Sequence, residues 1–231
     1  MAKTEKSGLE IIESPEALQQ EFSKAEGFLK TNQKLLGFIG GFVLAVVLGI
    51  VGYNYYTKSQ DDEAQAAMVN AFFAFEADST KQALNGTGGS EGMIAIASNY
   101  GGSKGGNLAE VISGMLLMKQ GKFDEAIEHL KSFSSDDLIM QGRAYTLIGD
   151  AYMEKKSTEE AITYYKKAVD YKPSKTFTPA NLMKLGTAYE VAKNNKEAIA
   201  VYAQLIEKYP TSIEVGNAKK YKSKLEGTVG E

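Results

Sequence analysis

The sequence predicts an all-α protein, in which an N-terminal transmembrane helix is followed by a solenoid of helix-turn-helix repeats closed by a C-terminal capping helix. Three observations carry that prediction. Residues 35–57 hold no charged side chain, and the run from Leu35 to Tyr53 is almost wholly apolar in an otherwise polar chain. Two later stretches match position for position: Tyr145, Ile148, Gly149 and Tyr152 against Leu182, Leu185, Gly186 and Tyr189. The last stretch, Ile213 to Leu225, turns Ala218, Tyr221 and Leu225 to one side and Lys219, Lys220, Lys222 and Lys224 to the other.

The first segment, residues 1–34, is short. Ser14-Pro15-Glu16 supplies an N-cap, a proline in the first turn and an acidic first turn. Leu18, Phe22, Ala25 and Leu29 then recur at helical spacing. The resulting amphipathic helix suits lipid headgroups or a partner surface equally; it lacks the basic polar face typical of lipid-surface helices.

Residues 35–56 form the membrane span. A bilayer core about 30 Å thick needs roughly 20 apolar residues as helix. A cleavable signal has an h-region of only about 7–15 residues and a small-residue cleavage site, and Gly52-Tyr53-Asn54-Tyr55-Tyr56-Thr57-Lys58 offers no such site. Lys24, Lys30 and Lys34 precede the span and Lys58 alone follows it closely, ahead of Asp61, Asp62 and Glu63. Lys and Arg near a span are retained in the cytoplasm, so the N-terminus is expected inside, with Tyr53, Tyr55 and Tyr56 as an aromatic belt at the far interface. Gly37, Gly41, Ala45 and Gly49 lie in one register, where small residues let a second backbone approach. This face suits a partner helix or a second copy.

Composition narrows the function classes. The net charge is −3, whereas nucleic acid demands a basic face. There is no Cys, which removes disulfides, thiolate metal sites and thiol nucleophiles. His129 is the only histidine and is expected on the outer side of a repeat helix. Acidic neighbours such as Asp136 with Asp137, or Glu159 with Glu160, read as solvated helix starts. No catalytic, cofactor-binding or metal-ligating set is expected, and the protein is read as non-enzymatic.

Residues 57–106 join membrane to repeats. Glu63 to Leu84 reads as one helix with apolar positions at Ala67, Met68, Ala71, Phe72, Phe75 and Leu84. From Gly86 to Gly106 glycine is abundant around Met93-Ile94-Ala95-Ile96-Ala97. Neither phosphate-cradling glycine pattern is present, so turns and tight helix packing are expected there.

Residues 107–231 carry the repeats. Equal intervals separate Gly149 from Ala161 and Gly186 from Ala198, and again Ala161 from Pro173 and Ala198 from Pro210. An earlier, more degenerate unit has Gly114, Gly121, Phe123, Ala126 and Leu130. The pattern resembles the tetratricopeptide repeat, a helix-turn-helix unit of about 34 residues. Its glycines let paired helices approach, its tyrosines fill the gaps between them, and its prolines stop second helices. Ser157-x-x-Glu160 reads as a capping box, and Lys175-Thr176-Phe177-Thr178 as a lengthened loop between the second and third units.

In that repeat family the first helix of each unit lines a concave surface. The resemblance implies that Leu108, Val111, Met115, Met118 and Lys119, then Arg143, Thr146, Asp150, Met153 and Glu154, then Ala180, Met183, Thr187, Glu190 and Val191 face the groove. The methionines suit an adaptable protein-binding groove, or fill gaps in the core. The basic and amide residues with which some relatives clamp a terminal carboxylate do not occur at the corresponding positions.

Taken together, Thr31-Asn32-Gln33-Lys34, Ala83-Leu84-Asn85-Gly86, Gly105-Gly106-Asn107-Leu108-Ala109 and Ile148-Gly149-Asp150-Ala151-Tyr152 resemble the YfgM-like ancillary subunits of the bacterial Sec translocon, in their Bacteroidetes form. That resemblance implies a single-pass inner-membrane protein with a periplasmic tetratricopeptide domain. Its implied partners are the SecYEG channel, a PpiD-like membrane-anchored chaperone and secreted client polypeptides, and its implied role is to assist protein transport in a chaperone-like way. Two other classes share this layout: a scaffold of another envelope assembly, such as division or outer-membrane machinery, and an organelle-type import receptor with the reverse orientation.

Overall fold

A computed structural model describes residues 15–77 and 79–229, so Ser14, the expected N-cap of the first helix, lies outside the described residues. The described chain is helical almost throughout and divides into two units, one up to Tyr56 and one from Thr57 onward.

In the first unit, α1 (Pro15–Thr31) is followed after Asn32 by α2 (Gln33–Glu76). The side chains of Thr31 and Asn32 bond back to the carbonyls of Gly27 and Phe28, at 2.8 Å each, and so close the end of α1. The apolar positions Phe22 and Leu29 of α1 are exposed. In α2, Phe38, Phe42, Leu44, Leu48 and Val51 are also exposed, and the most apolar stretch of the helix buries nothing against the rest of the chain. So much apolar surface is unfavourable in water, at about 25 cal/mol per Å².

The second unit begins inside α2. Its core opens with Ala64, Met68 and Ala71, buried with Ala83 and Leu84 of α3 (Thr80–Asn85), with Met93 and Ile96 of α4 (Met93–Asn99), and with Ala109 and Leu117 of α5 (Lys104–Lys119). The single helix expected from Glu63 to Leu84 is thus two, because α2 ends at Glu76 and α3 starts at Thr80. Of its apolar positions, Phe72 and Phe75 are exposed; Phe75 lies under the Lys119 ammonium, 4.5 Å from the ring centre.

The glycine-rich stretch makes both turns and close packing. Between α3 and α4, β1 (Gly86–Thr87) and β2 (Ser90–Glu91) pair antiparallel. Gly88 and Gly89 form their turn, both at positive φ, as a two-residue hairpin that matches sheet twist requires. Gly105 sits where a Cβ would lie 2.6 Å from that of Ala64, and its N–H donates to Asp61 Oδ1 at 2.6 Å. Backbone contact of this kind fixes the start of α5 against α2.

Three helix pairs follow: α5 with α6 (Phe123–Ser132), α7 (Leu138–Glu154) with α8 (Thr158–Asp170), and α9 (Thr178–Val191) with α10 (Asn195–Lys208), closed by α11 (Val215–Val229). One packing device recurs in all three. A Cβ at Gly114 would meet Leu130 at 2.5 Å, one at Gly149 the Tyr165 ring at 2.6 Å, and one at Gly186 the Tyr202 ring at 2.3 Å. The turn after each first helix also repeats. Gly121, Lys156 and Lys193 all take positive φ, and the N–H groups of Lys122, Ser157 and Asn194 reach back to the carbonyls of Leu117, Tyr152 and Tyr189. These are Schellman ends, which satisfy the last free carbonyls of a helix.

The capping box expected at Ser157 is absent, because Ser157 makes no side-chain capping bond to α8; its backbone N–H closes the preceding helix. Side-chain caps occur elsewhere. Ser103 accepts from the N–H of Gly106 at 3.0 Å, and Asp137 accepts from those of Ile139 and Met140 at 2.8 Å each. His129 is not on an outer surface. It is half-buried, with Nδ1 2.6 Å from Glu110 Oε2, and ties α6 to α5.

Candidate functional site: a cup between the first helices of adjacent repeats

A cavity of about 280 Å³ opens between α7 and α9, walled on the third side by the loop from Tyr171 to Phe177. The longer connection expected there builds that wall. Ser174 holds its shape: its N–H donates to Thr178 Oγ1 at 2.8 Å and its hydroxyl accepts from the N–H of Phe177 at 3.1 Å. Leu138, Ile139, Leu147 and Phe177 give the cup apolar walls.

Its polar groups pair in three separate sets. Thr146 Oγ1 donates to Asn181 Oδ1 at 2.8 Å. Asp150 Oδ1 accepts from the Tyr165 hydroxyl at 2.7 Å and from Lys184 Nζ at 2.8 Å. Lys172 Nζ donates to the carbonyl oxygen of Asp136. Burial, and then the bond to Asp150, push the Tyr165 phenol far above its ordinary value of 10.0, so it remains a donor across the physiological range. In the next repeat Tyr202, raised for the same reason, bonds Glu190 Oε1 at 2.5 Å.

The residues expected along the groove divide by location. Arg143, Thr146, Asp150 and Ala180 line the cup, and Arg143 and Ala180 are exposed. Val111 does not face a groove: it is 2% exposed and packs with Ile127, Leu130 and Ile148. The β-branched side chain falls on the flank of α5 that closes against α6 and α7. Leu108, Met115, Met118, Met153 and Met183 are half-buried along the edges of the core, so each methionine fills a core gap while leaving part of its surface accessible. In the first unit, a Cβ at Gly37, Gly41 or Gly49 would meet nothing within 4 Å, which leaves that face of α2, with Ala45, open.

Sequence reasoning missed that the cup has walls as well as a floor. Lys184, Lys172, Phe177 and Asn181 contribute to it, and the signal available was the lengthened loop, since extra residues after α8 had to lie over the neighbouring first helices. Among the described residues no group of acidic or histidine side chains is disposed to hold a metal ion.

The fold is that of a helical-repeat protein. Family models of the tetratricopeptide repeat match residues 142–175 and 180–212, which are the second and third helix pairs with their loops. One solved structure agrees in fold. A structure of nearly identical TPR-like repeats from Podosopora anserina has 12% identity and a TM-score of 0.51, covering 76% of this chain and 87% of its own. The crystal structure of MamA has 20% identity and a TM-score of 0.48, covering 68% of this chain and 92% of its own. No curated protein matches the chain. The chain therefore contains tetratricopeptide repeats, modules that mediate the binding of protein partners.

Proposed function

We propose that this protein is a single-pass subunit of the bacterial inner membrane that works beside the SecYEG channel with a PpiD-like chaperone, receiving secreted polypeptides as they emerge in the periplasm. The observation that carries the proposal is the joining, in one chain, of a long helix whose most apolar stretch buries nothing in the protein to a repeat domain with an accessible cup. An adaptor fixed at a membrane meets partners that pass through or sit in that membrane. The sequence resemblance to YfgM-like subunits supplies the choice of machine. The lysines preceding the span support a cytoplasmic N-terminus, and the open small-residue face of Gly37, Gly41, Ala45 and Gly49 suits the helix of a membrane partner.

The test has two readouts on the full chain. A C-terminal reporter active only in the periplasm is expected to be active, and an inactive reporter overturns the orientation. The chain in detergent is expected to slow the aggregation of an unfolded secretory protein; failure to do so, with the repeats folded, removes the client-handling role.

A further inference from the structure

We infer that the cup between α7 and α9 selects polypeptide segments in which an acidic side chain neighbours a bulky apolar one, with the carboxylate held by Arg143 and the apolar side chain seated in the cup. The inference rests on the adaptor reading and is independent of the translocon assignment.

The charge of the cup favours an anionic ligand. The lining holds three cations, Arg143, Lys172 and Lys184, against one acid, Asp150, in a chain whose net charge is −3. Only one of these cations remains unsatisfied. Lys184 is committed to Asp150 at 2.8 Å, and Lys172 to a backbone carbonyl. Asp137, at the start of α7, is occupied in capping it. Arg143 is exposed and has no ion pair or hydrogen bond among the described residues. Its planar fork presents donors that match a carboxylate bidentately.

Apolar surface lies beside it. Ile139 and Phe177 are 45% and 41% exposed, and both line the cup. Large apolar side chains left accessible around a concavity mark a binding surface. A cavity of about 280 Å³ is at the small end of ligand pockets, which run from roughly 300 to 1,000 Å³, so it suits one or two large side chains rather than a folded surface. The trough is open to solvent and lies along two helices. Lys172, Lys184 and Asn181 are already engaged within the protein, so Arg143 alone is left to hold a carboxylate, which favours an internal Asp or Glu over a terminal carboxylate clamped by several groups.

The test uses the full chain in detergent micelles and short fluorescent peptides read by anisotropy. One peptide places Asp next to Leu-Phe and has an amidated C-terminus. A second replaces that Asp with Asn, and a third keeps the Asn and restores the free terminal carboxylate. The Asp peptide is expected to bind about tenfold more tightly than the other two, as loss of a charge-assisted bond implies. In Arg143→Gln that preference should vanish while the circular dichroism and the melting curve stay unchanged. Phe177→Ala should weaken the Asp and Asn peptides alike.

Equal binding of the Asp and Asn peptides, tightest binding by the free-carboxylate peptide, or a preference that persists in Arg143→Gln overturns the inference. Co-purification of envelope partners with Arg143→Gln is measured alongside. If the peptides fail and partners still co-purify, the adaptor reading stands and the chemistry assigned to the cup falls.

Discussion

Gly149 and Gly186 stand where the aromatic ring of the partner helix already occupies the space that a methyl group would need, at 2.6 and 2.3 Å. In an open helix a glycine-to-alanine change stabilises by roughly 0.5–1 kcal/mol. At Gly186 overpacking against Tyr202 outweighs that gain, and Gly186→Ala should lower stability by about 1–3 kcal/mol in chemical denaturation. Gly142, in the middle of α7 with nothing within 4 Å of its Cβ position, should show the opposite sign. Lys156 and Lys193 give a second contrast, because they hold positive φ in the turns where the first repeat uses Gly121. Lys156→Gly and Lys193→Gly should each stabilise by about 0.5–1 kcal/mol, measured the same way. The glycine positions were legible from their recurrence against Ala161 and Ala198. The left-handed lysines were not, since lysine carries no signal for that conformation and only the hydrogen bonds of the folded turn impose it. The phenols of Tyr165 and Tyr202 are raised by burial and by their acidic partners. The folded state therefore holds these protons more tightly than the unfolded chain, and their contribution is complete below the ordinary phenol value of 10.0. Stability should fall as the pH rises above that value, and Tyr165→Phe should flatten part of the fall in an alkaline melting series.

At the scale of elements, the repeat helices were readable because each carries a recurring set of small and aromatic positions. The region before them was not readable in the same way. Nothing periodic marks the end of α2 at Glu76, and Ala83 and Leu84 continue an apolar count across a break that is set by the turn to α3 and the hairpin beyond. Glycine abundance indicated turns, and it also indicated close packing, but not that Gly88 and Gly89 would pair two short strands; that depends on both residues taking positive φ together. For α2 itself the small-residue face makes the test. Gly41→Leu combined with Ala45→Leu should reduce recovery of membrane partners in gentle detergent while leaving the circular dichroism of the repeats unchanged. Undiminished recovery in the double variant counts against that face as a partner surface.

Across the whole molecule, fold class came from two strong sequence signals, an uncharged apolar run and an internal repeat, and both are properties of many residues at once. The cup is a different kind of object. Arg143, Thr146, Asp150 and Ala180 were in view as positions on first helices, yet the cavity exists because the loop of Tyr171 to Phe177 folds over them, and loop paths are not written in periodicity. Val111 illustrates the reverse error: a position transferred from a family pattern lies in the core, packed with Ile127, Leu130 and Ile148. What the protein does as a unit is tested most directly by what it holds in its native membrane. The chain, tagged at its C-terminus, is extracted gently and its associated proteins are identified by mass spectrometry. Recovery of the SecYEG channel together with a membrane-anchored folding factor is the predicted result; absence of the channel with enrichment of a different envelope assembly contradicts it.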